Sequence, residues 1–251
     1  MGENIDGVNV FNYEYESDLQ LVIDMNFVCV YYGDKYIFKY VEVLYNMVKR
    51  NLTIPHKFIC FTDSTVIHRR KEFKSKDIEW RQFKRHDFDG WFNKLQLFSP
   101  DSKLDGNTLY MDLDVVIMKN IDCFGTHGED HNFVGMNDFN PTSGQFNSSI
   151  MKFNNQTASK LIWEEYMKNR TEYRAMPGDQ NIITALIKKH KDTISFPDSW
   201  TQSYKWFNRK GERFHSTKWT FEQNPNAKVC VFHGSPNPSD SKESWVIDLW
   251  K

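Results

Sequence analysis

Apolar runs punctuated by Gly-Asp and Pro outline the elements of this chain. Phe27 to Tyr32, FVCVYY, is short, β-branched and aromatic and stops at Gly33-Asp34, the pattern of a buried strand followed by a turn. Ile37, Val41, Leu44 and Val48 then recur at helical spacing up to Lys49-Arg50, cations suited to a helix C-terminus. His56 to Asp63, HKFICFTD, supplies a second strand, so the pattern is βαβ and predicts a parallel sheet. The charge-dense stretch from Asp63 to Gly90 predicts a loop, Trp91 to Phe98 a short helix before Pro100, and Thr108 to Met118 a strand.

The second half is less regular. Asn132 to Phe139 and Phe146 to Phe153 predict two strands joined by a Pro-Thr-Ser-Gly turn. Residues 157 to 169 predict an amphipathic helix using Leu161, Ile162 and Tyr166, and Asp179 to His190 another, with Pro177 and Asp179 at its start. Lys228 to Pro236, KVCVFHGSP, reads as a short strand ending on His233-Gly234 before a loose C-terminus. No repeat or linker interrupts the chain, so a single domain over 1–251 is expected.

The run TLYMDLDVVIM is broken only by Asp112 and Asp114. In an extended segment these two side chains share a face and Leu113 takes the other. Two carboxylates held this close are costly unless a positive group shares the site, and a hard divalent cation with oxygen ligands is the simplest candidate. Ligands of open parallel sheets bind at the carboxyl ends of strands, where Asp34, Asp112, Asp114, Asp138, Asn147 and His233 are expected to gather. A neutral His233 imidazole is a candidate third metal ligand or a strand-end cap, and Gly234 lets the backbone approach a ligand closely.

Composition narrows the partners. The formal charge of −1 over 251 residues gives no global pull toward nucleic acid or membrane. Cys29, Cys60, Cys123 and Cys230 form no CxxC pair and read as buried free thiols. No apolar run approaches the roughly 18 residues of a membrane span, and a cytoplasmic protein is expected. Aromatic residues, 16% of the chain, must supply core and leave some rings for stacking.

The motifs GDKY, GWFNKLQLFSP, LYMDLDVVI, FNSSIMKFN, GDQN and VFHGSPNP occur here in one order. That ordered set resembles GT-A-fold glycosyltransferases using nucleotide sugars, nearest to the glycogenin and lipopolysaccharide galactosyltransferase group and a small bacterial and phage branch of it. The resemblance runs from about Cys29 to Pro238. It implies an α/β Rossmann-like fold with a mostly parallel sheet flanked by helices, a nucleotide-binding half over about 27–125 and a sugar and acceptor half over about 130–240. It further implies a metal-dependent, retaining hexosyl- or pentosyltransferase using Mn²⁺ or Mg²⁺ and a UDP-sugar. Asp112, Asp114 and His233 resemble the metal ligands, and Tyr32, Gly33, Asp34 and Tyr36 the loop that receives uracil. Lys94 resembles the lysine reaching the donor phosphate or sugar. Asp138, Asn147 and Ser148 resemble residues lining the donor sugar, and Asp179 with Gln180 the pair near the anomeric carbon. Family members commonly carry a basic residue where this chain has Asn237, and Lys205 or Lys242 is the expected substitute.

The acceptor implied is a glycan, a lipid-linked saccharide, or a hydroxymethylcytosine base in phage DNA, where a base must be extruded or reached beside phosphate-binding cations. Tyr204 to Trp219 interleaves aromatics with six basic residues counting His215, and basic clusters at 68–76 and 84–86 extend the same composition. Two other readings compete. A haloacid-dehalogenase-type phosphohydrolase would use the first Asp as nucleophile, but expects its motif near the domain start. A non-catalytic nucleic-acid-binding module would rest on the basic, aromatic segment alone.

Overall fold

The computed structural model describes residues 25–63, 77–140, 142–205 and 226–251. The basic cluster at 68–76 and nearly all of the Tyr204 to Trp219 segment lie outside these residues.

The first strand, β1 (Met25–Tyr31), is almost wholly buried, as a central strand covered on both faces must be. It is followed by α1 (Lys39–Asn51) and β2 (His56–Thr62), with β1 and β2 parallel and in register from Met25 against His56 to Tyr31 against Thr62. The expected βαβ unit is therefore present. Ile37 lies before α1 and is exposed, so the helical face begins with Tyr40 and Val41 rather than with Ile37. The predicted loop between Asp63 and Gly90 contains an edge strand, β3 (Ile78–Gln82), parallel to β2. Its sequence IEWRQ carries a single fully buried residue, Ile78, which is why no apolar run marks it.

Next come a 3₁₀ segment over Gly90–Phe98, then β4 (Asn107–Met111) and β5 (Val115–Ile117), and the short helix α2 (Asp122–Thr126). The strands β6 (Phe133–Asn137) and β7 (Phe146–Asn154) pair antiparallel, with a bulge between Gly135 and Met136. The predicted 157–169 helix is α3, spanning 155–168, with a π-helical stretch at Ser159–Glu164. After α4 (Arg170–Arg174), α5 (Asp179–Ile187) follows, then β8 (Thr193–Ser195), β9 (Thr201–Ser203) and β10 (Val229–Val231). The C-terminus is not loose: a 3₁₀ turn at Pro238–Asp240 leads to α6 (Ser244–Leu249), whose Val246 is fully buried.

Seven strands form one sheet in the order β3-β2-β1-β4-β7-β6-β8, and β5, β10 and β9 form a second, smaller sheet. Among the described strands of the large sheet, only β7 runs against its neighbours. The chain reverses its direction of travel through the sheet between β1 and β4, so a crevice opens at the carboxyl ends of those two strands. Two apolar layers hold the sheet. Leu44, Met47 and Val48 of α1 join Phe27, Leu109 and the small sheet on one face. Phe98, Tyr110, Phe153, Ile162, Tyr166 and Ile183 fill the other. Cys29, Cys60 and Cys230 are buried, Cys123 is partly so, and all four are free thiols.

Candidate active site

The run read as a single strand is two strands in different sheets, and Asp112-Leu113-Asp114 is the turn between them. The Asp112 amide donates to Ser149 O at 2.9 Å, extending the large sheet, while the Asp114 carbonyl accepts from Phe232 N at 3.1 Å, in the small one. Strand alternation therefore does not place the carboxylates. A turn does, and Asp112, Leu113 and Asp114 all line the same cavity of about 540 Å³.

That cavity sits at the carboxyl ends of β1 and β4. Among its buried charges is Lys94, delivered by the 3₁₀ segment. With three residues per turn, Trp91 and Lys94 fall on one face of it, and both line the cavity. Gln96 on the same segment clamps the preceding loop, accepting from Arg85 N and donating to Arg85 O, both at 3.1 Å. Lys94 Nζ lies 2.9 Å from Asp112 Oδ1 and 3.0 Å from Asp179 Oδ2, and donates to Ser148 O and Oγ at 3.2 and 3.1 Å. Burial disfavours its charge, but the two carboxylates outweigh that and raise its pKa above the usual lysine value. Burial likewise works against the Asp112 carboxylate, yet Lys94 and the Tyr110 hydroxyl, donating at 2.5 Å, hold its pKa below the usual range. Ser148 Oγ donates to Asp179 Oδ2 at 2.8 Å, completing a largely buried polar group of five side chains, Lys94, Asp112, Asp179, Ser148 and Tyr110.

Asp114 has a different environment. Burial and the Asp112 charge raise its pKa, and it accepts from Gly234 N at 3.0 Å and from the Tyr36 hydroxyl. Burial and both carboxylates in turn raise the Tyr36 phenol. His233 and Gly234 both have left-handed backbone, φ 54° and 80°. This fold-back after β10 aims the Gly234 amide at Asp114 and turns His233 into the cavity. The His233 ring stands edge-on to Phe139, and its Nε2 is buried without a hydrogen-bond partner. Burial, then the nearby Lys205 ammonium, lowers its pKa from 6.5 to about 4, so the ring is neutral.

Of the other expected residues, Tyr32, Asn147, Ser148 and Gln180 line the cavity, and Tyr32 Oη accepts from Gly90 N at 2.8 Å. Gly33 and Asp34 do not line it. Gly33 shapes the turn instead, with φ 59° and its amide on Asp63 Oδ2 at 2.9 Å. Asp138 belongs to a neighbouring pocket of about 340 Å³, separated from the main cavity by Gln180, whose amide donates to Asp138 Oδ2 at 3.4 Å and Gln145 Oε1 at 3.3 Å. Lys205 does not reach the cavity wall either: its Nζ donates to His233 O at 2.8 Å. Lys35, Trp91 and Tyr110 line the cavity and escaped sequence reasoning. Lys35 stood inside the quoted GDKY motif, and Tyr110 two residues before Asp112, so motif proximity was the available signal.

Among the described residues no three His, Cys, Asp or Glu side chains are assembled tightly enough to hold a metal ion. The chemistry of the donors still fits one. Asp114 is held beside a like charge, the neutral His233 presents an orphaned Nε2, and Asp112 shares their cavity. Two carboxylates and an imidazole suit Mn²⁺.

No protein-family model and no curated protein matches the chain. Solved structures do. An active-site mutant of LgtC is 13% identical over 90% of this chain and 94% of that one, with a TM-score of 0.64. The glycosyltransferase GlyE of Streptococcus pneumoniae TIGR4 is 14% identical over 90% of this chain, with a TM-score of 0.63, and this chain spans 63% of GlyE. Galactosyltransferase LgtC in complex with donor and acceptor sugar analogs is 12% identical over 85% and 89% of the two chains, with a TM-score of 0.56. Identities this low speak for architecture alone, and the architecture is the GT-A fold shared by LgtC and GlyE.

Proposed function

We propose that this protein is a glycosyltransferase that moves a sugar from a UDP-sugar to a saccharide hydroxyl, with retention and with the aid of a divalent cation. One observation carries the reading: at the β1/β4 crevice Lys94 ties Asp112 to Asp179 while Asp114 and His233 keep acceptor atoms facing the same cavity. The fold likeness to LgtC, solved with donor and acceptor sugar analogs, supports it.

In the reaction the bond from the anomeric carbon to the diphosphate breaks, the acceptor hydroxyl bonds to that carbon, and the hydroxyl proton passes to the departing diphosphate. A cation held by Asp112, Asp114 and His233 would stabilise the charge that builds on the diphosphate. Lys94 adds a fixed positive charge to the same end of the cavity, favours the ionised form of Asp112 and holds the Asp112 and Asp179 side chains in place. Tyr32 and Tyr36 offer aromatic faces to the base. Asn147, Ser148, Asp179 and Gln180 present the polar groups that orient a sugar ring, and Asp138 stands behind Gln180.

Calorimetry with UDP, with and without Mn²⁺, tests this on the wild type and on Asp112→Asn with Asp114→Asn. Mn²⁺ should strengthen UDP binding to the wild type alone. Metal-independent UDP binding, or equal binding by the double variant, would overturn the site.

A further inference from the structure

The cavity has a charge imbalance that its expected residues do not correct. Asp112, Asp114 and Asp179 face Lys35 and Lys94, three formal negative charges against two positive. Lys94 is committed to Asp112 and Asp179. Asn237 is the N-cap of the 3₁₀ turn at Pro238–Asp240, its backbone N–H donating to Asp240 Oδ2 at 2.9 Å. Neither Asn237 nor Lys205 nor Lys242 lines the cavity. A diphosphate entering here would therefore meet, among the described residues, one cation not already paired with a carboxylate.

We infer that this cation, Lys35, is the diphosphate-binding residue of this chain; the inference rests on the transferase reading. Lys35 lines the cavity yet is exposed, so its ammonium can meet a ligand without reorganising the core. It stands over the Tyr36 ring, 4.6 Å from the centroid, while the Tyr36 hydroxyl reaches Asp114. That stacking indexes the ammonium to the metal-side carboxylate. Among the described residues Lys35 forms no ion pair within 4.0 Å, although its charge is felt at Asp114. A cation near an anion but unpaired with it is placed to bridge to a second anion, and a flexible lysine serves as a point charge for phosphate. Because Lys35 precedes Tyr36 in the loop after β1, one short segment would contact both base and diphosphate.

Calorimetry in Mn²⁺ with UDP, UMP and uridine tests the assignment on wild type, Lys35→Met and Lys35→Arg. Lys35→Met should weaken UDP roughly ten- to hundred-fold, as loss of a charge-assisted contact does, and leave uridine unchanged, with Lys35→Arg close to wild type. Unchanged UDP affinity in Lys35→Met, or an equal loss for uridine and UDP, overturns the assignment of Lys35 while leaving the transferase reading intact. A wild type that binds no UDP would instead sink the transferase reading, and this inference with it.

Discussion

Lys94 Nζ lies 3.0 Å from Asp179 Oδ2, joining the middle of a 3₁₀ segment to the first residue of α5 across 85 positions of sequence. With Asp112 on its other side, the ammonium makes the ends of β4 and α5 one rigid wall. This explains why a lysine is tolerated in so buried a place.

Removing that ammonium should unfold the wall. Lys94→Met leaves the buried Asp179 and the partly buried Asp112 without their counter-charge, a change that costs about 3–5 kcal/mol when one partner of a buried pair is deleted. Urea unfolding in chelator is the measurement. A double variant, Lys94→Met with Asp179→Asn, should recover part of the loss, and a single variant as stable as wild type would refute the pairing.

His233 predicts an acid-side loss of stability. The unfolded chain binds this proton near pH 6.5 and the folded chain only near 4, so in that window the unfolded state holds more protons. The contribution is complete above about 6.5 and fades as pH falls toward 4. Imidazole NMR should show one ring titrating near 4, and His233→Gln should flatten the pH dependence of the urea midpoint over that interval. A His233 ring titrating at its ordinary value would contradict the burial described.

Gly234→Ala tests the fold-back after β10. A methyl group at this position meets nothing within 4 Å, so its cost is purely conformational, about 1–2 kcal/mol for a left-handed φ of 80°. If the residue relieves that strain by changing φ, the Gly234 amide leaves Asp114 and Mn²⁺-dependent UDP affinity falls. Unaltered stability and affinity would show that the left-handed geometry is not required.

Phe98→Ala reads the packing behind Lys94. Phe98 is fully buried with its ring centroid 4.7 Å from that of Phe153, and emptying such a site costs about 3–5 kcal/mol. Thermal unfolding should show the loss, and a shift under 1 kcal/mol would mean the neighbouring rings collapse into the space.

The sequence made β1, α1, β2, β6, β7 and α5 legible because their apolar positions repeat at one clear period. It hid β3, whose polar residues face an edge, and α6, too short to establish a helical face. It misread TLYMDLDVVIM for a physical reason: both strands flanking the turn are buried, so nothing in residue type marks where the chain leaves one sheet for the other. Asp112, Asp114 and His233 stand out in the sequence by spacing and strand-end position and Lys94 and Asp179 by motif order, whereas Lys35 and Trp91 owe their place at the cavity to the turn after β1 and to the 3₁₀ periodicity. Asp138, expected at the sugar wall, lines the neighbouring pocket and meets the main cavity through the Gln180 side chain.

The turn between β4 and β5 has one more consequence. Asp112 is anchored to β7 and Asp114 to the segment following β10, so two residues separated by a single leucine take their positions from separate scaffolds. The gap between their carboxylates is therefore a gauge of how the two sheets dock. A substitution deep under the small sheet can change that gap by a fraction of an ångström without touching either carboxylate.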